Sequence, residues 1–242
     1  MKNDAWLNKK FIERAKELNR IGLFNLYPTE SWALLPTINE CNSILDIGCA
    51  DGNKLPICRK INKKINYTGF DLNPELIKIA KKKYKKDLKS NFYVNDINEI
   101  HNNLKFKKFD LIMSWAVFYS INNYKDLIKK LFINHTKKFL IFDLRFSQIR
   151  NDIIDLKKSY TFYENENNKS PYIISSYRKF IKFLRVDLKG HIKNAYISGY
   201  CFNPSKNVWI RKDIKKPFIC SIVLERGKNI RKINFTEKIP NV

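Results

Sequence analysis

One short segment has the residue types and spacing of a nucleotide-type binding turn. Residues 44 to 52 read ILDIGCADG, an apolar run that enters glycines. Such a turn lets the backbone approach a ligand closely and points the amides of the next helix at it. The dinucleotide pattern G-x-G-x-x-G would need glycines at positions 48, 50 and 53, but Ala50 and Asn53 occupy the last two. The segment therefore serves a pyrophosphate poorly.

Polar residues follow each of the next three apolar runs. Asp71 ends the second run, Asp96 follows the third, and Ser114 and Trp115 follow the fourth. Taken singly, each signal has a plain structural interpretation, because Asp71 or Asp96 can cap a helix and the glycine segment can be a tight turn. Their common order within residues 44 to 144 favours one ligand site.

In this order the residues resemble the class I S-adenosylmethionine-dependent methyltransferases, whose first motif runs apolar-apolar-Asp-apolar-Gly-x-Gly/Ala-x-Gly. The resemblance implies S-adenosylmethionine as cofactor and S-adenosylhomocysteine as product. It also implies that Asp46 helps to place the methionine portion, that Asp71 accepts both ribose hydroxyls, and that Asp96 takes the adenine amino group. The cofactor-binding residues implied in this way are Asp46, Gly48, Cys49, Ala50, Gly52, Asp71, Leu72, Asp96, Ile97, Ser114 and Trp115.

Alternating apolar and amphipathic segments must position these residues. Asn73, Pro74 and Glu75 form a helix start, because they supply an N-cap, a first-turn proline and a first-turn acid. Strands that alternate with helices predict a parallel sheet with right-handed crossovers. We expect strands at 44–47, 67–70, 92–94, 109–113, 139–144, 194–200 and 218–225, and helices at 6–19, 30–38, 54–64, 74–88, 124–133 and 175–186.

The predicted fold class is α/β and Rossmann-like. We expect a seven-stranded, mostly parallel sheet whose last strand is antiparallel, with an N-terminal helical cover and an insertion after strand five. All 242 residues are expected to form a single methyltransferase domain. Its parts are a cover (1–40), a cofactor-binding core (41–144), an insertion that caps the substrate (145–190), and the last two strands with a tail (191–242).

Methyl transfer from a sulfonium requires an aligned acceptor and a place for its proton. Ligands of open parallel sheets lie at the carboxyl ends of the strands. Tyr119, Tyr27 and Asp143 are therefore candidate catalytic residues, although packing aromatics and a loop cap are the alternatives. His135 and His191 fall on the opposite edge, and His101 is only weakly supported as a base. No metal is expected, because Ser114 stands where metal-dependent relatives place an aspartate.

The candidate substrate-binding residues lie in the cover and the insertion. Arginines bind carboxylates or phosphates through a planar fork, so Arg145, Arg150 and Arg211 suggest an anionic acceptor, unless they are solvated loop charges. The stretch 160–170 would then act as a lid. By analogy with the family, the cover, with Tyr27, Glu30 and Trp32, is expected to close over the cofactor. The substrate-binding residues proposed are Arg145, Arg211, Tyr160, Tyr163 and Trp32.

The net charge of +24 permits binding to nucleic acid but does not require it. Only ten of the 47 basic residues are arginine, and a lysine-rich, asparagine-rich and isoleucine-rich chain is what an A/T-biased coding sequence produces. Five cysteines without a C-x-x-C pair suggest reduced thiols. The apolar runs are too short to span a bilayer, and we expect no secretory signal, because the first residues lack a continuous apolar run. We expect a cytoplasmic protein without a membrane partner.

Three functions remain open. The first is methylation of oxygen or nitrogen in a small polar, anionic metabolite or a sugar- or nucleotide-linked precursor, for example in surface-glycan biosynthesis. The second is methylation of RNA or DNA. Against it, Ser114-Trp115-Ala116-Val117 lacks the Pro-Pro-aromatic motif of exocyclic-amine enzymes and the cysteine of RNA cytosine-C5 enzymes. The third is a non-catalytic cofactor-binding scaffold, which the intact set of glycines and aspartates does not favour.

Overall fold

The chain folds around a large mixed sheet. The computed structural model describes residues 4–7, 10, 12–13, 26–100, 104, 107–162, 169–214 and 216–240. Its strands are β1 (Ser43–Ile47), β2 (Asn66–Asp71), β3 (Ser90–Val94), β4 (Phe109–Ser114), β5 (Thr136–Ser147), β6 (Ser159–Phe162), β7 (Lys169–Pro171), β8 (Ser175–Ser176), β9 (Gly190–Cys201), β10 (Val208–Ile210), β11 (Phe218–Ile230) and β12 (Asn234–Lys238). The α-helices are α1 (Pro28–Ile38), α2 (Leu55–Ile61), α3 (Pro74–Lys83), α4 (Tyr124–Lys130) and α5 (Tyr177–Val186).

The strand order of the main sheet is β12-β9-β11-β5-β4-β1-β2-β3, with β8 paired to β5. The five adjacent strands β5-β4-β1-β2-β3 are parallel to one another. Strand β11 is antiparallel to both of its neighbours, β5 and β9. The predicted Rossmann-like α/β fold, with an antiparallel last core strand, is therefore confirmed. The strand β12 pairs in parallel with β9 and extends the sheet beyond the seven predicted strands.

The central strands are buried because helices cover both faces of the sheet. Alternate residues of β1 and β4 contribute to two separate apolar clusters, with Leu45 and Ile112 in one and Ile44 and Leu111 in the other. All four side chains are fully buried. Near-continuous apolar runs of this kind are typical of parallel strands covered on both sides. The rigid centre fixes the loops that leave the carboxyl ends of β1, β2 and β4.

A second, three-stranded antiparallel sheet has the order β10-β6-β7. Its strands β6 and β7 come from the predicted insertion, but β10 comes from the connection between β9 and β11. Val208 and Ile210 pack against a small apolar cluster that contains Tyr119 and Tyr172. The small sheet therefore lies beside the connection that follows β4.

Strand β5 is longer than predicted. It runs to Ser147, because β11 continues the ladder as far as the Phe218–Phe146 pair. Arg145 consequently lies inside the strand and does not follow it. The helix predicted at 175–186 begins at Tyr177, because residues 175 and 176 pair with β5 and the hydroxyl of Ser176 accepts the amide of Lys179 at the helix start.

The helix predicted at 74–88 ends at Lys83. Tyr84 leaves the helical conformation, donates its hydroxyl to the carbonyl of Gly52 at 3.0 Å, and stacks on Phe92. At the other end of this helix, the Asn73 side chain accepts two backbone amides as the predicted N-cap. The early end of α3 thus places an aromatic ring against the β1–α2 loop.

The N-terminal cover is described in part. Helix α1 begins at Pro28, two residues before the predicted start, and the backbone amide of Tyr27 donates to Glu30 Oε2 at 3.1 Å. Most of the helix predicted at 6–19 lies outside the described residues, but the Trp6 carbonyl accepts a hydrogen bond from the Asn73 side chain. Within the described ranges, no helix has the length and apolar character needed to cross a bilayer.

Candidate active site

The loop between β1 and α2 adopts a left-handed backbone at three alternate positions. Gly48, Ala50 and Gly52 have φ values of 76°, 49° and 81°. A Cβ at Gly48 would lie 2.4 Å from Val117 Cγ2, so the side chain there must be hydrogen. Ala50 holds a conformation that L-residues disfavour, and such strain persists only where the surroundings enforce it. The glycine spacing identified in the sequence thus corresponds to a loop that a larger side chain at position 48 would disrupt.

Asp71 enforces this loop conformation. Its Oδ2 accepts the amide of Ala50 at 2.8 Å, and its Oδ1 accepts the amide of Asn73 at 2.8 Å. Burial raises the pKa of Asp71, although hydrogen bonds from the backbone amides of Asn73, Ala50 and Leu72 lower it. A carboxylate has about four lone-pair sites, so both oxygens retain acceptor capacity for a ligand.

Asp46 lies below the loop with its carboxyl group almost completely buried. The hydroxyl of Tyr67, on the neighbouring strand β2, donates a hydrogen bond to Oδ2. Burial raises the pKa of Asp46 from near 3.8 to about 7, although Tyr67 and the charge of Lys54 lower it. The sequence motif therefore places a carboxyl group of unusual proton affinity at the end of β1.

The other predicted cofactor residues have mixed environments. Asp96 Oδ1 accepts the amide of Asn98 and caps a short helical turn. This is the helix-cap role that the sequence analysis gave as the alternative for Asp96. Ser114 is fully buried and donates to the carbonyl of Ile47, so its hydroxyl joins β4 to β1. Cys49 is also buried, whereas Leu72 and Ile97 are partly exposed.

Trp115 follows β4 directly and lies near Lys54, which forms an ion pair with Glu30 of the cover. Lys54 Nζ lies 5.6 Å from the centre of a Trp115 ring and 3.2 Å from Glu30 Oε2. The Nε1 atom of Trp115 is buried and has no hydrogen-bond partner among the described residues. The first turn of α1, the β1–α2 loop and the end of β4 thus meet at one place.

A buried ion pair follows at the end of β5. Arg145 Nη1 donates to Asp143 Oδ2, and the guanidinium lies over the ring of Tyr119, 4.2 Å from its centre. Asp143 Oδ1 accepts the amide of Ala116 at 2.6 Å. Ala116 has a φ of 58°, a strained value for alanine. Asp143 therefore positions the connection after β4.

Tyr200 was not identified from the sequence. Arg145 and Tyr200 both pair with Ile219 across β5, β11 and β9, so their side chains leave the same face of the sheet. The ring of Tyr27 lies 6.2 Å from that of Tyr200. Burial, followed by the influence of Tyr27, raises the pKa of Tyr200 to about 12. Glu30 and Asp143 raise this pKa further, whereas the charge of Arg145 lowers it. The sequence signal that could have identified Tyr200 is its position near the carboxyl end of β9.

Several predicted substrate residues do not join this group. Trp32 is on the exposed face of α1, opposite the residues that pack on the sheet. Tyr160 stacks with Trp209, and strand alternation places both on the face of the small sheet opposite Val208. Arg211 is exposed and forms an ion pair with Asp213. The remaining predicted positions are Arg150, which is exposed, and Tyr163 and His101, which lie outside the described residues.

The two histidines among the described residues lie at the other edge of the sheet. His135 is fully buried just before β5, and its Nδ1 lies 2.9 Å from the carbonyl of Lys107. His191 lies near the amino end of β9. Both are at the amino-terminal edge of the sheet, as predicted, away from Asp71 and Trp115.

The ion pair of Asp143 and Arg145 makes a testable contribution to stability. Asp143→Asn would leave a buried guanidinium without its anion, and we expect a loss of about 3 kcal/mol in the free energy of unfolding. The double variant Asp143→Asn/Arg145→Met should recover part of this loss, because the unpaired charge is removed. Urea denaturation at neutral pH measures both values. A single variant as stable as the wild type would show that the pair is not needed to hold the connection after β4.

Comparisons with known proteins show to which proteins the chain is similar in sequence and in fold. A family model described as a methyltransferase domain matches residues 20–138. A search of curated protein sequences finds no significant match. Among solved structures, the chain is similar to the N-terminal domain of EvdMO1 with SAH and D-fucose, at 12% identity and a TM-score of 0.59, covering 90% of this chain and 97% of that one.

Two other solved structures have the same fold. An O-methyltransferase from a trans-AT PKS multienzyme of Brevibacillus brevis, in complex with S-adenosyl-L-homocysteine, has 12% identity and a TM-score of 0.59, covering 95% of this chain and 81% of that one. A putative S-adenosylmethionine-dependent methyltransferase from Listeria monocytogenes has 15% identity and a TM-score of 0.56, covering 88% of this chain and all of that one.

Proposed function

Because this chain belongs to the class I S-adenosylmethionine-dependent methyltransferases, we propose that it methylates an oxygen or nitrogen of a small polar acceptor. The observation that carries the proposal is the group of polar side chains beside Trp115. Tyr200 from β9 and the paired Asp143 and Arg145 from β5 leave the same face of the sheet, and the Tyr27 ring from the cover lies 6.2 Å from that of Tyr200. These residues form the proposed acceptor site.

The residues at the ends of β1, β2 and β4 fit S-adenosylmethionine. The absence of a Cβ at Gly48 keeps the loop close to Val117, and Asp71 retains lone pairs for hydroxyl donors. The buried Nε1 of Trp115 is a donor for which the described residues supply no acceptor. When bound, the cofactor supplies an electrophilic methyl group on a positively charged sulfur. The residues that would hold it are those of the β1–α2 loop, Asp71 and Trp115.

Tyr200 is suited to orient an acceptor. With a pKa of about 12, its hydroxyl stays protonated at neutral pH and donates a hydrogen bond. The Tyr27 ring is about half exposed, so it forms the outer edge of the proposed acceptor site. The tyrosines thus bind a hydroxyl or amine by hydrogen bonding, and neither needs to act as a strong base.

The charges at this site favour a polar acceptor without a formal negative charge. At this site Arg145 is paired with Asp143, and Arg211, which lies outside the site, is paired with Asp213. An anionic acceptor would have to compete with Asp143 for Arg145. The sequence-based idea of a clamp made from these arginines therefore has little support from the observed pairs. Hydroxylated molecules of sugar size are the first class to test, a choice supported at the level of fold by the domain solved with D-fucose.

The proposal is tested by incubating the protein with S-adenosylmethionine and separate acceptor pools. The pools are hydroxylated sugars without charged groups, nucleotide-linked sugars with small carboxylates and phosphates, and bulk tRNA with rRNA. We expect S-adenosylhomocysteine formation, and a mass increase of one methylene in the acceptor, with the first pool. Methyl incorporation into RNA alone, at physiological salt, would contradict the proposal and support the alternative of an RNA methyltransferase.

Tyr200→Phe provides the matched variant. It removes one hydroxyl and keeps the ring, so we expect kcat/KM for the identified acceptor to fall about tenfold, the effect of one lost hydrogen bond. Binding of S-adenosylhomocysteine should be unchanged, because Tyr200 lies on the acceptor side. An unaltered kcat/KM would remove Tyr200 from the acceptor site.

A further inference from the structure

The ion pair between Lys54 and Glu30 has a location that stability alone does not explain. The two side chains are 13% and 9% exposed, and Nζ lies 3.2 Å from Oε2. Burying both charges carries a desolvation cost that their attraction often fails to exceed. Lys54 comes from the end of the β1–α2 loop, whereas Glu30 comes from the first turn of α1. The pair therefore connects the glycine loop to the N-terminal cover.

One buried polar atom without a hydrogen-bond partner among the described residues lies on a side chain next to this pair. Lys54 Nζ lies 5.6 Å from a ring centre of Trp115, whose Nε1 is buried without an acceptor among the described residues. The charge of Lys54 also lowers the pKa of Asp46. Ammonium, carboxylate and indole N–H groups are thus close together at the ends of β1 and β4.

The position of the pair relative to Asp71 is set by the sheet. The strand order β2-β1-β4 places Asp71 on one side of β1 and Trp115 on the other. If the ribose is bound by Asp71, an elongated ligand that crosses the end of β1 has its other end beside Trp115, Lys54 and Glu30. That end of S-adenosylmethionine is an amino acid with one ammonium and one carboxylate.

We propose that the Lys54–Glu30 pair binds the amino-acid end of the cofactor, with Lys54 taking the α-carboxylate and Glu30 the α-ammonium; this inference rests on the cofactor assignment above. A zwitterion can be inserted beside a salt bridge so that every charge has an opposite neighbour. The α-carboxylate is also an acceptor for Trp115 Nε1. The pair is therefore preorganised for a ligand that carries both charges.

Glu30 extends the effect of this contact to the cover. Its Oε2 also accepts the backbone amide of Tyr27, the residue whose ring lies against Tyr200. A ligand ammonium held by Glu30 would thus fix the start of α1 next to the proposed acceptor site. Cofactor recognition and acceptor binding share this one turn of helix.

The experiment compares two ligands by calorimetry. S-adenosylhomocysteine has the amino-acid end, whereas 5′-methylthioadenosine keeps the adenosine and thioether but lacks that end. We expect Lys54→Met to weaken S-adenosylhomocysteine binding by about tenfold or more. Glu30→Gln should have a smaller effect in the same direction, because it frees Lys54 for the carboxylate. Both variants should bind 5′-methylthioadenosine as the wild type does.

Two further variants serve as controls. Lys60→Met removes an exposed lysine from helix α2 and should leave both affinities unchanged. Lys54→Arg keeps the charge and should retain most of the affinity for S-adenosylhomocysteine. This variant tests the role of the charge if Lys54→Met folds poorly. Equal losses for both ligands, or an unchanged affinity of Lys54→Met for S-adenosylhomocysteine, would overturn the inference. A wild-type protein that binds neither ligand would overturn the cofactor assignment itself, which is a separate result.

Discussion

Replacing Asp71 with alanine is expected to weaken the binding of S-adenosylhomocysteine by about 1.5 to 3 kcal/mol, the loss typical of hydrogen bonds to a charged group. Asp71 combines two tasks that both depend on its carboxylate. It holds the amide of the strained residue Ala50, and it presents its remaining lone pairs at the end of β2. Isothermal titration calorimetry measures the change directly.

The second ligand separates this effect from that of Lys54. Asp71 is expected to contact the ribose, so Asp71→Ala should weaken 5′-methylthioadenosine and S-adenosylhomocysteine to the same extent. Lys54→Met should affect only the latter. If Asp71→Ala keeps the wild-type affinity for both ligands and an intact fold, Asp71 serves only to hold the loop and the adjacent helix start.

Asp46→Asn is expected to stabilise the unliganded protein by about 3 kcal/mol at pH 8, because the buried carboxylate no longer has to lose its proton. In the folded state the pKa of Asp46 is raised to about 7. The unfolded chain therefore releases this proton at lower pH than the folded chain does. The wild type consequently loses stability between about pH 4 and pH 7, and the cost stays constant above that range.

Urea denaturation of both proteins at pH 5 and pH 8 tests this effect. The stability gain of Asp46→Asn should be clearly larger at pH 8 than at pH 5. Asp110→Asn is a suitable control, because Asp110 Oδ2 accepts the amides of Asn42 and Ser43 and its replacement should destabilise the protein. A gain for Asp46→Asn that does not change with pH would show that Asp46 is already ionised in the folded, unliganded state.

The parts of the fold that repeat over many residues were predictable from the sequence. The regular alternation from Ile44 to Leu144 predicted the parallel core, and the turn signals at Asn73 and Pro74 located the start of α3. The small sheet was not predicted. Its three strands have three or four residues each, and β10 comes from a different part of the chain than β6 and β7. Segments this short carry no usable periodicity.

Local spacing decides the geometry of the turn after β1. The sequence predicts a glycine turn there, and Gly48 and Gly52 have left-handed φ values in that turn. The position of the Tyr200 side chain depends instead on the register of β9 against β11. The Lys54–Glu30 contact depends on how α1 packs on the sheet. Neither is encoded within a few residues. Trp32 was assigned to the substrate although the apolar pattern of its helix buries Ala33 and Leu34.

The central claim is that the carboxyl ends of β1, β2 and β4 bind S-adenosylmethionine with its methyl group directed toward the Tyr200 side of the sheet. A crystal structure of the protein with S-adenosylhomocysteine tests it most directly. We predict ligand density with the ribose hydroxyls on Asp71, the amino-acid end between Lys54 and Glu30, and the sulfur near Trp115. Ligand density at any other edge of the sheet, or a ribose that makes no contact with Asp71, would contradict this account.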